Sequence, residues 1–360
     1  TESDARSDMT LTLIPSPAVA GEGGEPDALR ACPVRSGSDM AHILCENLPM
    51  PRILLVKTSS LGDVVHNLPV VADIRSHFPD ARIDWVVEEN FADIPALHAG
   101  VHRVRPVAMR RWRRQLFRPS AWREIAAFRR ALREQEYDAV IDTQGLLKSA
   151  ILTSMARGPS HGQDRATARE PLAARFYTHT YNVARGRHAV VRNRELAAFA
   201  LGYGLPTTPP DYGIQVPAPP SLTLPRKGGG DYFVRPYVVC LHGTSRESKE
   251  WPEDYWRELS KRLANSGYAA LFPWGNNNEK ARANRLCASG ETAITLPRLG
   301  LRELAAILGR AQAVIGVDSG LTHLACALDR PTVAIYTDTS PVLTGVYPRD
   351  RSRGVNLGDA

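Results

Sequence analysis

The stretch Arg52-Ile-Leu-Leu-Val-Lys-Thr-Ser-Ser-Leu-Gly-Asp-Val-Val-His66 indicates the fold class of this chain. Its apolar run, residues 53–56, is typical of a strand buried on both faces of a parallel sheet. A short polar loop follows, and apolar residues then return at helical spacing from Val64. Such a strand–loop–helix unit places backbone N–H groups and the Asp63 carboxylate at the carboxyl edge of a sheet. Open α/β sheets bind ligands at that edge.

Outward from this stretch, the chain alternates between strand and helix patterns. This predicts an α/β fold with two Rossmann-like domains, whose parallel doubly wound sheets face each other across a cleft. The predicted strands are 53–56, 83–87, 104–107, 137–141, 237–241, 269–273, 313–317 and 332–336. The predicted helices include 64–77, 122–135, 252–266, 279–288 and 301–310. Regularity falters around residues 158–192, where basic residues accumulate.

Composition shifts mark the domain boundaries. Residues 206–235 are rich in Pro and Gly and predict a linker, with 221–230 as a surface insert. The linker separates an N-terminal domain, 50–205, from a C-terminal domain, 236–360. Residues 1–49 lack periodicity and predict a disordered or non-native extension. A signal peptide is disfavoured, because the segment before its short apolar run is acidic and prolines interrupt that run.

Bulk properties narrow the classes of function. The net charge of +7 favours an anionic partner, such as a nucleotide, a phosphorylated sugar, nucleic acid or an anionic lipid surface. The five cysteines are scattered and lack C-x-x-C spacing, which fits a reducing cytoplasm. No run of about 18 apolar residues predicts a membrane span. No His, Cys, Asp and Glu grouping has metal-ligand spacing, so no metal site is predicted.

Asp63 is the first candidate catalytic residue. A carboxylate directly after Gly62, at a strand-to-helix turn, is placed to accept a proton from a bound hydroxyl. The alternative is that Asp63 caps the following helix, and spacing alone does not decide between the two. Lys57 and the hydroxyls that follow it could bind phosphate or simply be solvated. The loop is neither a Walker A nor a G-x-G-x-x-G motif.

Two further post-strand turns suit phosphate. In Gly316-Val-Asp-Ser-Gly-Leu-Thr-His323 a small polar turn opens a helix, so backbone N–H groups can meet a pyrophosphate. A simple N-cap by Asp318 or Ser319 is the alternative. In Leu241-His-Gly-Thr-Ser-Arg-Glu-Ser-Lys-Glu-Trp-Pro252 two hydroxyls and Lys249 offer phosphate contacts, or the segment is an exposed loop.

Arg110-Arg-Trp-Arg-Arg114 carries four guanidinium groups in five residues, which is a candidate anion site. A solvated charged face is the alternative. A nucleic-acid interface would require basic residues interleaved with aromatics along a docking element, and one Trp in one cluster does not provide that. G-x-S-x-G is absent, so an α/β-hydrolase is disfavoured.

Several motifs in order resemble those of glycosyltransferase family 9, the lipopolysaccharide heptosyltransferases, and within it heptosyltransferase I. They are Lys57-Thr-Ser-Ser-Leu-Gly-Asp-Val-Val-His66, Asp84-Trp-Val-Val-Glu-Glu89, Arg110–Arg114, Asp142-Thr-Gln-Gly-Leu-Leu-Lys-Ser149, Ala168-Arg-Glu-Pro-Leu172, His242–Pro252, Leu296-Pro-Arg-Leu299 and Val317–Leu324. The resemblance spans about residues 51–348. It implies the GT-B fold and inverting transfer of L-glycero-D-manno-heptose from ADP-heptose to the first Kdo of Kdo2-lipid A.

The resemblance also implies roles for individual residues. Asp63 is similar to the family's general base. The residues similar to its donor site are Thr244, Ser245, Lys249, Glu279, Leu299, Asp318, Ser319, Gly320, Leu321 and His323, of which Glu279 is a looser match. The residues on the acceptor side are Lys57, Ser59, Ser60, Gly62, Arg110, Arg111, Arg113, Arg114 and Lys148. The family further implies no cofactor besides the donor, no nucleic acid, a monomer, and a location at the cytoplasmic face of the inner membrane.

Three departures from the family pattern accompany the resemblance. The N-terminal 50 residues have no counterpart in it, and the insert 221–230 is unusual in the linker. The family also continues past the position of Ala360 into a helix that typically packs on the N-terminal domain. Two competing functions stay open: heptosyltransferase II, which adds to heptose, and a non-catalytic protein that binds nucleotide sugar or anionic lipid. The Arg110–Arg114 cluster and the hydroxyls at 58–60 favour heptosyltransferase I.

Overall fold

A computed structural model describes residues 50–115, 117–218, 235–288 and 292–358. All of them belong to one compact unit, within which each half of the chain forms one six-stranded, fully parallel sheet. The first sheet has the order β3-β2-β1-β4-β5-β6. Its strands are β1 (Arg52–Val56), β2 (Arg82–Glu88), β3 (Val101–Val107), β4 (Ala139–Asp142), β5 (Ser160–Gln163) and β6 (His179–Tyr181).

The second sheet repeats this topology, with the order β12-β11-β10-β7-β8-β9. Its strands are β7 (Tyr237–Leu241), β8 (Ala269–Phe272), β9 (Ala293–Thr295), β10 (Ala313–Val317), β11 (Thr332–Ile335) and β12 (Gly354–Leu357). In each half the strand order reverses beside the first strand, which is where doubly wound sheets open a crevice for ligand.

Helices cover the sheets because their apolar faces and the strands' two buried faces must both leave water. In the first half they are α1 (Leu61–Val65), α2 (Leu68–His77), α3 (Asp93–Ala96), α4 (Met109–Arg114), α5 (Pro119–Arg133), α6 (Leu147–Met155) and α7 (Ala189–Leu201). In the second half they are α8 (Glu253–Asn265), α9 (Asn277–Cys287), α10 (Leu301–Leu308), α11 (Gly320–Ala327) and α12 (Pro341–Thr344).

The two halves meet where α1 packs against α11, and two glycines allow the contact. A Cβ on Gly320 would lie 2.5 Å from Leu61 Cβ, and a Cβ on Gly62 would lie 2.9 Å from His323 Cδ2. Neither distance is sterically possible, so the contact requires glycine on both helices. The loop that carries Asp63 is thereby held against the turn that carries Asp318.

The predicted fold class is confirmed, since both sheets are parallel and doubly wound. The predicted single helix 64–77 is wrong, because α1 ends at Val65 and α2 begins at Leu68. Pro69 explains the break: it lacks an N–H and fits only the first turn of a new helix.

The irregular region 158–192 contains two strands that periodicity did not reveal, β5 and β6, which have only four and three residues. The strands β9 and β12 were missed for the same reason, since they have only three and four residues. The extension 1–49 and the insert 221–230 lie outside the described residues, so the predicted disorder of the first and the predicted surface position of the second stay predictions.

Candidate functional site

The loop between β1 and α1 holds Asp63 in the first turn of α1. One carboxylate oxygen, Oδ2, accepts hydrogen bonds from Ser60 N at 2.8 Å and Ser60 Oγ at 2.9 Å. The helix-cap interpretation is therefore confirmed as a structural role. Asp63 is also partly exposed, and among the described residues no hydrogen bond reaches its Oδ1. One oxygen can fix the side chain while the other meets a substrate hydroxyl.

Lys57 lies beneath this loop and does not project into solvent. Its ammonium is buried and donates to Thr143 O at 2.9 Å and to Asn193 Oδ1 at 3.4 Å. Burial lowers the pKa of Lys57, and the nearby carboxylates Asp63 and Asp142 partly offset this. Any role of Lys57 at the acceptor is therefore indirect, through the field it exerts on Asp63.

Ser59 and Lys148, both predicted on the acceptor side, are brought together. Lys148 Nζ donates to Ser59 Oγ at 2.9 Å. Burial lowers the pKa of Lys148, and the neighbouring cations Arg110, Arg113 and Arg169 act in the same direction. The arginine cluster and the β1–α1 loop thus form one cationic side of the site.

Three arginines that sequence reasoning missed extend this cationic side: Arg169, Arg185 and Arg192. Burial, Arg185 and Arg169 together lower the pKa of Arg192, while Asp63 raises it. Arg169 lies in the Ala168–Leu172 motif and was not assigned a role, since the surrounding region lacks clear periodicity. The match of residues 168–172 to a family motif was the signal that could have identified Arg169.

The members of the Arg110–Arg114 cluster differ in their surroundings. Arg111 pairs with Glu89 at 3.2 Å and with Glu124 at 2.8 Å, which holds α4 in place. The Arg110 guanidinium lies 5.3 Å from the centre of the Phe91 ring. Arg113 and Arg114 are exposed, and within the described part of the chain no ion pair engages them. These last two are available to an anionic ligand.

Across the α1–α11 contact, six of the ten predicted donor residues line one cavity of about 800 Å³. Its walls come from both halves of the chain. The predicted donor residues in it are Thr244, Glu279, Leu299, Ser319, Gly320 and Leu321, and the first half contributes Leu61, Glu89, Asn90, Phe91 and Asp93. A cavity of this size, lined by apolar side chains with a few polar groups, fits a nucleotide-sized ligand.

Lys249 and Asp318 form an ion pair beside this cavity, with 2.6 Å between Nζ and Oδ2. Thr339 Oγ1 donates to the same oxygen at 2.7 Å, and Thr244 Oγ1 donates to Asp318 O at 3.1 Å. Burial would raise the pKa of Asp318, but His323, Lys249 and Thr339 outweigh it, so the pKa is held well below its usual value. Asp318 is ionised at neutral pH and can accept hydrogen bonds from sugar hydroxyls.

The remaining predicted donor residues occupy different positions. His323 is buried, with Nδ1 3.2 Å from His66 Nε2 of the first half and Nε2 3.6 Å from Asp318 Oδ1. It supports Asp318 and does not line the cavity. Glu279, the looser match, accepts hydrogen bonds from Gly275 N at 2.6 Å and from Asn276 Nδ2 at 2.8 Å. These bonds fix the orientation of its carboxylate at the cavity wall. Ser245 is exposed.

Within the described ranges, no three His, Cys, Asp or Glu side chains are grouped so that they could hold a metal ion. The cationic side chains described around the site are arginines and lysines. Guanidinium and ammonium groups bind phosphate and carboxylate groups directly.

Comparison with known proteins decides the family. The family model of glycosyltransferase family 9 (heptosyltransferase) matches residues 125–357. The chain belongs to glycosyltransferase family 9. Lipopolysaccharide heptosyltransferase 1 of Pseudomonas aeruginosa is 49% identical over 308 residues, which covers 85% of this chain and 83% of that one.

Solved structures agree with the family assignment. E. coli heptosyltransferase WaaC with ADP is 45% identical, with a TM-score of 0.77, covering 85% of this chain and 92% of that chain. The same enzyme with ADP-2-deoxy-2-fluoro heptose is 44% identical, with a TM-score of 0.75 and the same coverage. As a family 9 member, the chain is a glycosyltransferase with the GT-B arrangement of two facing Rossmann-like sheets.

Proposed function

We propose that this chain transfers L-glycero-D-manno-heptose from ADP-heptose to the first Kdo of Kdo2-lipid A, with inversion at the anomeric carbon and without a metal ion. The observation that carries the proposal is the two-sided site. One side is a cavity of about 800 Å³ beside the Lys249–Asp318 pair, and the other is the Asp63 loop with its surrounding cations. The likeness to an enzyme solved with an ADP-heptose analogue supports the donor.

On the donor side, Lys249 and the N-terminal turn of α11 are suited to the pyrophosphate, and Leu299 with Leu321 to the adenine side of the cavity. In the structure Lys249 neutralises Asp318. We expect the donor to divide this pair, with phosphate drawing Lys249 and the heptose hydroxyls hydrogen-bonding to Asp318. Lys249 then stabilises the negative charge that develops on departing ADP.

On the acceptor side, Asp63 removes the proton from the attacking Kdo hydroxyl. The acceptor's chemistry accounts for the surrounding cations, since Kdo carries a carboxylate and lipid A carries phosphates. Arg113, Arg114, Lys148 and Arg169 are the nearby groups that can bind them. Heptosyltransferase II would add to a heptose, which has no carboxylate and gives these cations less to bind.

The test is release of ADP from ADP-heptose with each of two acceptors, Kdo2-lipid A and its heptosylated product. We expect turnover with Kdo2-lipid A only. Turnover with the heptosylated acceptor alone would establish heptosyltransferase II activity instead. Tight binding of ADP-heptose without turnover of either acceptor would show a binding protein. Repeating the reaction with a chelator checks the metal: an unchanged rate agrees with the proposal, and its loss contradicts it.

A further inference from the structure

The surface of α4, α5 and the turn between them is strongly basic. Residues 109–133 contain nine arginines and one carboxylate, Glu124. That carboxylate is 41% exposed and accepts from Arg111 at 2.8 Å and from Trp112 Nε1 at 2.8 Å. It pairs with one arginine, so the surface keeps a large net positive charge. We call this surface the α4–α5 basic face.

The helix α5 separates an apolar side from this charged side. Ala121 and Leu132 are buried, and Ile125 and Phe128 pack against the same apolar cluster. Trp112 holds the two helices together through an edge contact with Phe128, with ring centres 5.8 Å apart. Helical spacing then places Trp122, Arg129 and Arg133 together on one exposed side, which flanks the buried one. The basic face is thus fixed in place by the packing beneath it.

Two large aromatic side chains stand among these arginines and are exposed to solvent. Phe117, in the turn between α4 and α5, is fully exposed, and Trp122 is 58% exposed. A globular protein normally buries Phe. Exposed aromatics beside arginines are typical of surfaces that lie in the interface of an anionic bilayer, where the rings reach the acyl boundary and the cations meet headgroups.

We propose that the α4–α5 basic face docks on an anionic phospholipid surface, with Phe117 and Trp122 entering the interface. This inference rests on the proposed function, because it names the surface from which the site meets a lipid-linked acceptor. Arg110 and Arg113 of α4 act on Lys148 beside the Asp63 loop, so the face continues directly into the acceptor side. No helix in the described part of the chain is long and apolar enough to cross a membrane.

The helix α8 provides a matched control. It also exposes an aromatic residue, Tyr255 at 58%, but its three carboxylates balance its three cations, and two of those cations are paired within the helix. Arg257 pairs with Glu253 and Asp254, and Arg262 pairs with Glu258. The control variant Tyr255→Ser/Lys261→Gln/Arg262→Gln removes one aromatic and two positive charges. The test variant Phe117→Ser/Arg129→Gln/Arg133→Gln removes the same from the basic face.

The experiment is sedimentation of the full chain with vesicles of phosphatidylcholine alone or with about 30% phosphatidylglycerol, the latter resembling an anionic leaflet. We expect wild type to bind only the anionic vesicles, more weakly at higher salt. Each arginine near such a surface strengthens binding about five-fold, so the loss of two arginines together with Phe117 should weaken binding by at least about 25-fold. The control variant should stay within about two-fold of wild type, because α8 carries no net positive charge to attract the vesicle.

Three outcomes would overturn the docking surface: wild type that ignores anionic vesicles, equal losses in both variants, or tighter binding to a DNA oligonucleotide than to the vesicles. Turnover of an acceptor fragment without acyl chains tests the proposed function separately from the docking surface. All three proteins should process it at equal rates. Vesicle binding without turnover of any acceptor refutes the proposed function and leaves the docking surface standing. Turnover without vesicle binding refutes the docking surface and leaves the proposed function standing.

Discussion

Two aspartates occupy equivalent places in the two halves and have different surroundings. Asp142 ends β4, the fourth strand of the first half, and Asp318 directly follows β10, the fourth strand of the second half. Asp142 is fully buried and accepts from Tyr177 OH at 2.7 Å and Gln144 N at 2.8 Å. Asp318 instead faces Lys249 beside the cavity.

Their pKa values shift in opposite directions for this reason. Burial raises the pKa of Asp142, against the hydrogen bonds from Tyr177 and the backbone. At Asp318 burial is outweighed by His323, Lys249 and Thr339, and the pKa falls. The same strand–turn–helix unit thus serves as a structural tie in the first half, and in the second half the proposed function uses it as the donor site. In the same proposal the first half places its general base, Asp63, after β1 instead.

The largest effect should come from Asp63→Asn, which keeps an oxygen to accept from Ser60 but cannot act as a base. We expect turnover to fall by about 10³-fold, with ADP-heptose affinity unchanged. Steady-state rates and calorimetric donor binding measure the two. The matched control is Glu303→Gln, since Glu303 caps α10 in the same manner, accepting from Gly300 N at 2.7 Å. Equal losses of activity in the two variants would mean that Asp63 acts only as a cap.

Next in size is Lys249→Ala, which removes the cation beside Asp318. We expect kcat/KM for ADP-heptose to fall about 100-fold, since the phosphate stabiliser is lost and Asp318 is left without its partner. Lys261→Ala, on the exposed side of α8, is the control and should leave kcat/KM unchanged. A Lys249→Ala enzyme with full activity would remove Lys249 from the donor site.

A smaller effect, on stability alone, is expected from Asp142→Ala. The change leaves the Tyr177 hydroxyl and two backbone N–H groups without their acceptor, at a cost of about 2–3 kcal/mol in the free energy of unfolding. Donor affinity should be unchanged. Asp318→Ala is the counterpart. It should reduce donor affinity strongly and lower the free energy of unfolding only slightly. Chemical denaturation and calorimetric titration of both variants test the comparison, and a shared pattern would contradict it.

Much of the fold was predictable from sequence. Buried runs such as 53–56 and 313–317 predicted the central strands, and the ligand contacts predicted at the polar turns after them stay predictions. The short edge strands β5, β6, β9 and β12 were missed, because three or four residues give no periodicity. The burial of Lys57 was also beyond sequence, since its acceptors Thr143 and Asn193 lie 86 and 136 residues away. The pairing of His66 with His323 across 257 residues was hidden for the same reason.

The smallest effect concerns pH and the contact between the halves. His188 of α7's N-terminus lies 3.0 Å, through Nε2, from Gly345 O of the second half, and burial lowers the pKa of His188 to about 4. The pKa of His66 is also lowered, by burial and then by His323. Both are therefore neutral in the folded protein at neutral pH, whereas a histidine in the unfolded chain has a pKa of about 6.5. Their contribution to stability is complete above that pH and is lost as the pH falls toward about 4.

We expect His188→Phe, which cannot take up a proton, to reduce the loss of stability between about pH 6.5 and 4 by about 1–2 kcal/mol, a value discounted for its partial exposure. The check is denaturant unfolding at a series of pH values. His77→Gln, at an exposed position of α2, is the control and should leave the slope as in wild type. An unchanged slope in His188→Phe would place the acid sensitivity elsewhere. His98 and His161 would then be next, since burial lowers the pKa of each to about 4 within the first half.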